Sequence, residues 1–417
     1  MVLYRGGAME EQKAKFKNPF RPGAGHFPAH LAGRETEIAE FVELLDQEVI
    51  LKNVILTGLR GVGKTVLLEK LKPLAMAAGW LWTGTDLSES TSITEDHMTT
   101  RLVTDLSVLT SAMVVNVREG IGFSTAPAKT SEPLNFQALK YLYDSSPGLA
   151  ADKLKVVLET VWPYVQAEGR QGIIFAYDEA QNLADHAAKD QFPLSLLLDV
   201  FQSLQRKGIR FMLVLTGLPT LFPKLVEART YTERMFHMIF LNPLNEDQTK
   251  EAILKPIQKD GCPVSFRAET VQLICVQTRG YPYFIQYICR EVFDVWVQAA
   301  EVGNLFPSVP VQPIMRKLDS DFFAGRWARV TDRQRQLMAL IALLPSSDDE
   351  FTVQDIIESP ANLGQDKPFS GSHANQMLST LIENGLIYKN RHGKYLFAVP
   401  LLGDFIRRQS EILPPWL

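Results

Sequence analysis

Five short apolar runs punctuate the first part of the chain, each of strand length and each followed by a stretch whose apolar residues recur every three or four positions. They predict strands over 53–57, 80–85, 172–177, 211–215 and 237–241. The run Gly172-Ile173-Ile174-Phe175-Ala176-Tyr177 has no polar alternation, as expected of a strand buried on both faces. Between the runs, Ile38, Phe41, Val42 and Leu45 predict a helix from Gly33 onward. Val66, Leu67, Leu68, Leu71 and Leu74 predict another, and Leu154, Val157, Leu158, Val161 and Trp162 a third over 151–166. Five strands alternating with helices imply a parallel sheet covered on both faces, an α/β fold.

From Asn245 the pattern turns helical, with helices expected over 246–257, 268–277 and 283–299, the last placing Phe284, Tyr287, Ile288 and Val292 on one face. A further unit starts near Trp327. Thr331-Asp332-Arg333-Gln334 and Thr352-Val353-Gln354-Asp355 have the form of capping boxes, and Ser372 is expected to cap a helix that Asn384-Gly385 stops. Residues 386–389 and 394–397 around Asn390-Arg391-His392-Gly393 read as a hairpin, so this unit is expected to be a winged helix-turn-helix. The domains are therefore an N-terminal arm at 1–30, a core at 31–244, an all-α lid at 245–325 and the winged helix at 326–417. The arm, with Phe16, Pro19, Phe20, Pro22, Gly23, Gly25, Phe27 and Pro28, suits an extended segment lying against a surface; Met9 is an alternative start. Residues 86–150 are read as an insertion, with a helix over 99–114 and turns at Ile121-Gly122-Phe123-Ser124 and Ser145-Ser146-Pro147-Gly148.

Composition narrows the class. In 417 residues, 43 Lys and Arg face 47 Asp and Glu, a net charge of -4, so overall charge argues for no polyanionic partner. Cys262, Cys275 and Cys289 lack metal-ligand spacing and read as buried thiols of a reducing compartment. No apolar run reaches membrane-spanning length and no signal pattern opens the chain, so a cytoplasmic protein without a membrane partner is expected.

The chemistry is carried by Gly58-Leu59-Arg60-Gly61-Val62-Gly63-Lys64-Thr65, which follows the first strand and runs into the helix at Val66. This is a phosphate-binding loop in its proper context. Its backbone N–H groups can curl round an anion, Lys64 neutralises the β- and γ-phosphates, and the Thr65 hydroxyl is offered to Mg²⁺. Asp178 and Glu179 end the buried strand at 172–177. The first is placed to bind Mg²⁺ and the second to orient or deprotonate an attacking water. Thr216, at the end of the run 211–215, either caps that strand or senses nucleotide between the carboxylates and the γ-phosphate.

These parts, in this order, resemble an AAA+ ATPase of the origin-recognition-like and STAND-like group, over residues 30–417. The resemblance implies an ATP-binding P-loop NTPase. It makes Ala32-Gly33-Arg34-Glu35 the segment that frames the adenine, Asp178 and Glu179 the Walker B pair, and Thr216 the sensor 1 position. Arg234, in Glu233-Arg234-Met235 ahead of the fifth strand, falls where such proteins carry an arginine finger for a neighbouring subunit. Gly280-Tyr281-Pro282 resembles the G-x-P turn of the STAND-like clade, which brings Pro282 to the nucleotide. Initiators carry a sensor 2 arginine inside the last lid helix, whereas here the G-x-P turn stands, with Arg279 before it either substituting or not.

The expected function is Mg²⁺-dependent ATP binding and slow hydrolysis. It acts as a switch coupling nucleotide state to homo-oligomer assembly or to duplex DNA, in the manner of an initiator, loader or transposition regulator. The other reading is a signalling or defence ATPase whose winged helix packs against protein. Residues 326–417 carry ten basic and ten acidic residues, and 372–384 none that is basic, which leaves few phosphate contacts for DNA. Ser372, His373, Asn375 and Gln376 remain able to read base edges, and Lys389, Arg391 and Lys394 to hold backbone.

Overall fold

The computed structural model describes residues 17–23, 25–118, 129–258, 262, 264–304, 307–391 and 393–410. Met9, Phe16, His392 and the turn expected at 121–124 lie outside them. The strands are β1 (Asn53–Thr57), β2 (Trp80–Thr83), β3 (Val114–Arg118), β4 (Lys129–Pro133), β5 (Gly172–Tyr177), β6 (Phe211–Gly217), β7 (Phe236–Phe240), β8 (Ile387–Arg391) and β9 (Lys394–Phe397). Five of them form one parallel sheet in the order β2-β5-β6-β1-β7. β1, β5 and β6 are buried along their whole length, which is why their sequences show no alternation.

Alternate residues of each strand serve opposite faces. Val54, Leu56, Ile174, Ala176, Met212 and Val214 pack with Phe41 and Leu45 of helix Glu35–Leu45 and with Leu67, Leu68 and Leu71 of helix Lys64–Ala77. Ile55, Phe175, Tyr177, Leu213 and Leu215 face a second core built with Leu102, Leu106, Leu158, Val161, Leu197 and Phe201. Helices Glu95–Thr110, Ala150–Ala167 and Pro193–Arg206 supply that layer. The result is the three-layer arrangement expected of alternating strands and helices.

The stretch 86–150 contains helix Glu95–Thr110, the antiparallel hairpin β3–β4 and helix Phe136–Ser145. The helix expected over 99–114 thus begins earlier, where the Thr94 side chain accepts from His97 N, and Val114 already belongs to a strand. On the helix, Asp105 is buried, accepting from Arg101 and from the Tyr177 hydroxyl at 3.0 Å, while its carbonyl accepts from Thr83 Oγ1 at 2.8 Å. This ties the stretch to the ends of β2 and β5. The strand expected over 80–85 pairs in register only to Thr83.

By its contacts the chain divides into two units. Met1–Ala32, as far as described, groups with Leu244–Phe322, and Gly33–Pro243 groups with Phe323–Leu417. In the first, the arm has a defined seat. Phe20 is buried against Phe266 and Phe293, Asn18 donates to Arg290 O and to Asp294, and Arg21 N donates to Gln286 of helix Pro282–Glu301. In the second, helices Asp332–Leu343, Val353–Ile357 and Gly371–Glu383 precede the hairpin β8–β9, followed by helix Leu402–Ser410. Both capping boxes form, at Thr331 and Thr352. The cap of helix Gly371–Glu383 is Ser370, accepting from His373 N, rather than Ser372. The bond from Phe369 N to Asn362 Oδ1 sets where the chain turns into that helix. Among the described residues no helix is long and apolar enough to cross a membrane.

Candidate functional site

The loop 58–65 leaves the carboxyl end of β1 and enters helix Lys64–Ala77 with Gly61 and Gly63 in left-handed backbone (φ 76° and 97°). Lys64 Nζ donates to the carbonyls of Gly58 and Leu59 at 2.9 and 3.0 Å. Burial pulls its ammonium down to about 8, against the upward pull of Asp178 and Glu179. Arg34, which precedes helix Glu35–Leu45, is buried and donates to Val62 O at 3.0 Å, Asn242 O at 2.8 Å and Glu37 at 2.9 Å. It therefore buttresses the outer wall of the phosphate loop.

Thr65 Oγ1 donates to Asp178 Oδ2 at 2.5 Å, and Asp178 Oδ1 accepts from Glu179 N at 2.8 Å. Burial raises the Asp178 carboxyl above its usual range, opposed by the Thr65 hydroxyl. Glu179 itself is exposed, its backbone left-handed at φ 52°, and its carboxylate accepts from Gln181 Nε2. Thr216 lies beside Leu56 of β1 in register, on the sheet face that Val214, Ala176 and helix Lys64–Ala77 share. Its hydroxyl is fully buried and has no hydrogen-bond partner among the described residues. An orphaned hydroxyl at the carboxyl edge of the sheet is the kind of group that a buried phosphate contact would satisfy. The hydroxyl of Thr65 and the carboxylate of Asp178 are hard oxygen donors side by side, and so fit Mg²⁺.

One expected residue of the same unit is placed elsewhere. Arg234 is exposed in helix Thr232–Met235, just before β7, whose first residue pairs with Asn53 at the start of β1. It thus lies at the amino edge of the sheet, away from its own phosphate loop, where Lys52 Nζ donates to its carbonyl at 2.8 Å. Pro282 opens helix Pro282–Glu301 in the first unit. Gln181 was not anticipated as part of the site. Its polarity in Asp-Glu-Ala-Gln was visible, but its partner, Leu218 N at 3.1 Å, is 37 residues away.

The lowered Lys64 gives a direct test. A bound polyphosphate favours the charged ammonium, so nucleotide binding at about pH 8.5 should take up a proton, and at about pH 6.5 none. Affinity should accordingly weaken as pH rises past about 8. Titration calorimetry in buffers of different ionisation enthalpy reads the uptake. Lys64→Arg, charged throughout this range, should show none.

A family model described as a domain of unknown function (DUF8462) matches residues 320–406. No curated protein matches the chain by sequence. Among solved structures, the chain is similar to a Walker-type ATPase of Pyrococcus abyssi, at 16% identity and a TM-score of 0.56, covering 90% of this chain and 96% of that one. It is also similar to the ORC2 protein of Aeropyrum pernix in its ADP form, at 13% identity and a TM-score of 0.54, covering 94% and 98%. Likeness at these identities speaks of architecture alone: this chain has an α/β fold with a phosphate loop after β1, and it resembles the fold of these two proteins.

Proposed function

We propose that the chain binds MgATP and hydrolyses it slowly, as a switch that couples nucleotide state to self-assembly and duplex DNA. The observation that carries this reading is the meeting, at the carboxyl edge of the sheet, of Lys64, the Thr65–Asp178 pair, Glu179 and the orphaned hydroxyl of Thr216. Gly58 to Val66 hold the phosphates, and Arg34 keeps the loop in shape. Thr65 and Asp178 would hold Mg²⁺, which would supply positive charge to neutralise the phosphates there. Glu179 takes a proton from a water as its oxygen attacks the γ-phosphorus. The bond from that phosphorus to the bridging oxygen breaks, and ADP and phosphate leave. Thr216 reports the γ-phosphate. Arg234, exposed on the far edge, serves the site of a second copy. The similarity to an ORC2 protein solved in its ADP form is in keeping with nucleotide binding.

Light scattering of the full chain without nucleotide, with ADP and with a non-hydrolysable ATP analogue, each with and without duplex DNA, tests the switch. Assembly that needs the analogue and DNA together is the expected result.

One observation favours a second reading, a STAND-like signalling ATPase. A side chain at Gly385, just past helix Gly371–Glu383, would have its Cβ 3.7 Å from the Arg60 guanidinium of the phosphate loop. The winged helix thus reaches its own nucleotide site, and its candidate recognition helix has no Lys or Arg. A mass indifferent to DNA in every condition would decide for this reading.

A further inference from the structure

Gln181 stands between two parts of the site that sequence treats separately. It sits in the short turn Ala180–Asn182 after Glu179, and its side-chain amide spans a gap between the ends of β5 and β6. Its Oε1 accepts from Leu218 N at 3.1 Å, one residue past β6, and its Nε2 donates to the Glu179 carboxylate. The chemistry fixes which end of the amide is which. A backbone N–H needs the oxygen and a carboxylate needs the NH₂, so a flipped amide would lose both bonds.

The space for this amide is reserved. A Cβ at Gly217 would lie 2.8 Å from Gln181 Oε1, so any side chain there would displace it. The backbone of Gln181 is held as well: Lys224 Nζ, on helix Leu221–Ala228 beyond β6, donates to Gln181 O at 2.7 Å. The segment 216–218 is therefore connected to Glu179 through one side chain. At its start stands Thr216 with its unpartnered hydroxyl.

We infer that Gln181 is a positioning residue, holding the Glu179 carboxylate and transmitting to it the position of the β6 exit at Thr216–Leu218. The inference rests on the reading of Glu179 as the group that activates water. An exposed glutamate on left-handed backbone has many rotamers, and one oriented donor selects among them. A shift of the β6 exit on contact of Thr216 with a γ-phosphate moves Leu218 N, and with it the amide and the carboxylate. The base is then aligned when triphosphate is bound.

The test is steady-state and single-turnover ATP hydrolysis by the full chain, wild type and variants. Gln181→Met keeps the length and removes both bonds. It should lower kcat about tenfold while KM for MgATP stays within about twofold. In a Glu179→Gln background the same substitution should change the residual rate by less than about twofold, because Gln181 acts only through Glu179. Gln181→Glu, nearly isosteric, guards against a folding failure of the first variant. It keeps an acceptor for Leu218 N but sets a carboxylate against Glu179, and should also lose about tenfold in kcat.

A raised KM with unchanged kcat, wild-type turnover in Gln181→Glu, or a tenfold loss that persists in the Glu179→Gln background would each overturn the inference. These outcomes are separable from failure of the function itself. If Glu179→Gln turns over like the wild type, the assignment of Glu179 falls. If Glu179→Gln is inactive while the Gln181 variants match wild type, only the role of Gln181 falls.

Discussion

Glu179→Gln is expected to bind MgATP as the wild type does and to lose about a hundredfold or more in kcat, the scale on which a positioned general base contributes. The amide keeps the size of the side chain and can still pair with Gln181, so the site is preserved while the proton acceptor is gone. Lys64→Ala should do the opposite and lose binding itself, because Lys64 is the ammonium that the phosphate loop folds around. Nucleotide affinity by fluorescence titration and phosphate release in a single turnover separate the two. Hydrolysis at the wild-type rate by Glu179→Gln would remove the residue from the mechanism.

The second large effect is structural. Gly84 follows β2 with φ +129°, and a Cβ there would stand 1.8 Å from Ala176 O, inside covalent-like distance of the strand that ends in Asp178. Just beyond, Asp178 N donates to Thr85 O at 3.2 Å and Leu87 N donates to Asp178 O at 2.9 Å, so this stretch holds Asp178 in place. Gly84→Ala should cost about 3 to 5 kcal/mol, the sum of backbone strain and forced separation of β2 from β5. It should weaken MgATP binding as well, through Asp178. Gly208→Ala is the control: φ is +77° there but no atom lies within 4 Å of the added Cβ, and a cost of about 1 kcal/mol is expected. Urea unfolding of both variants measures the difference. Equal costs would show that the close approach of Gly84 to Ala176 does not matter.

Much of this architecture was legible because burial on two faces leaves a strong mark. β1, β5 and β6 are apolar runs of strand length, and the phosphate loop is a local pattern of glycines and one lysine that needs no distant partner to be recognised. The hairpin β3–β4 left no such mark. Lys129-Thr130-Ser131-Glu132-Pro133 is polar throughout, and its pairing with Val114–Arg118 is a tertiary choice rather than a local preference. The cap at Ser370 was misplaced by two residues because Ser370 and Ser372 are locally equivalent, and the bond between Phe369 and Asn362 decides between them. Helix Leu402–Ser410 was not anticipated; it is short and follows Pro400. Gln181 shows the limit most plainly, since its two partners belong to different strand ends and only the folded sheet brings them together.

The interleaving of the two units bears on how the chain is made. Each is assembled from two segments separated by a long segment of the other, so neither is complete until its second segment has been made. Phe20 emerges early, but Phe266 and Phe293, which enclose it, follow only after roughly 250 more residues, some 10 to 50 s later at ordinary translation rates. For that interval an apolar aromatic segment of the nascent chain has no native partner. A chaperone that holds it there would raise the yield of folded protein without touching its final stability.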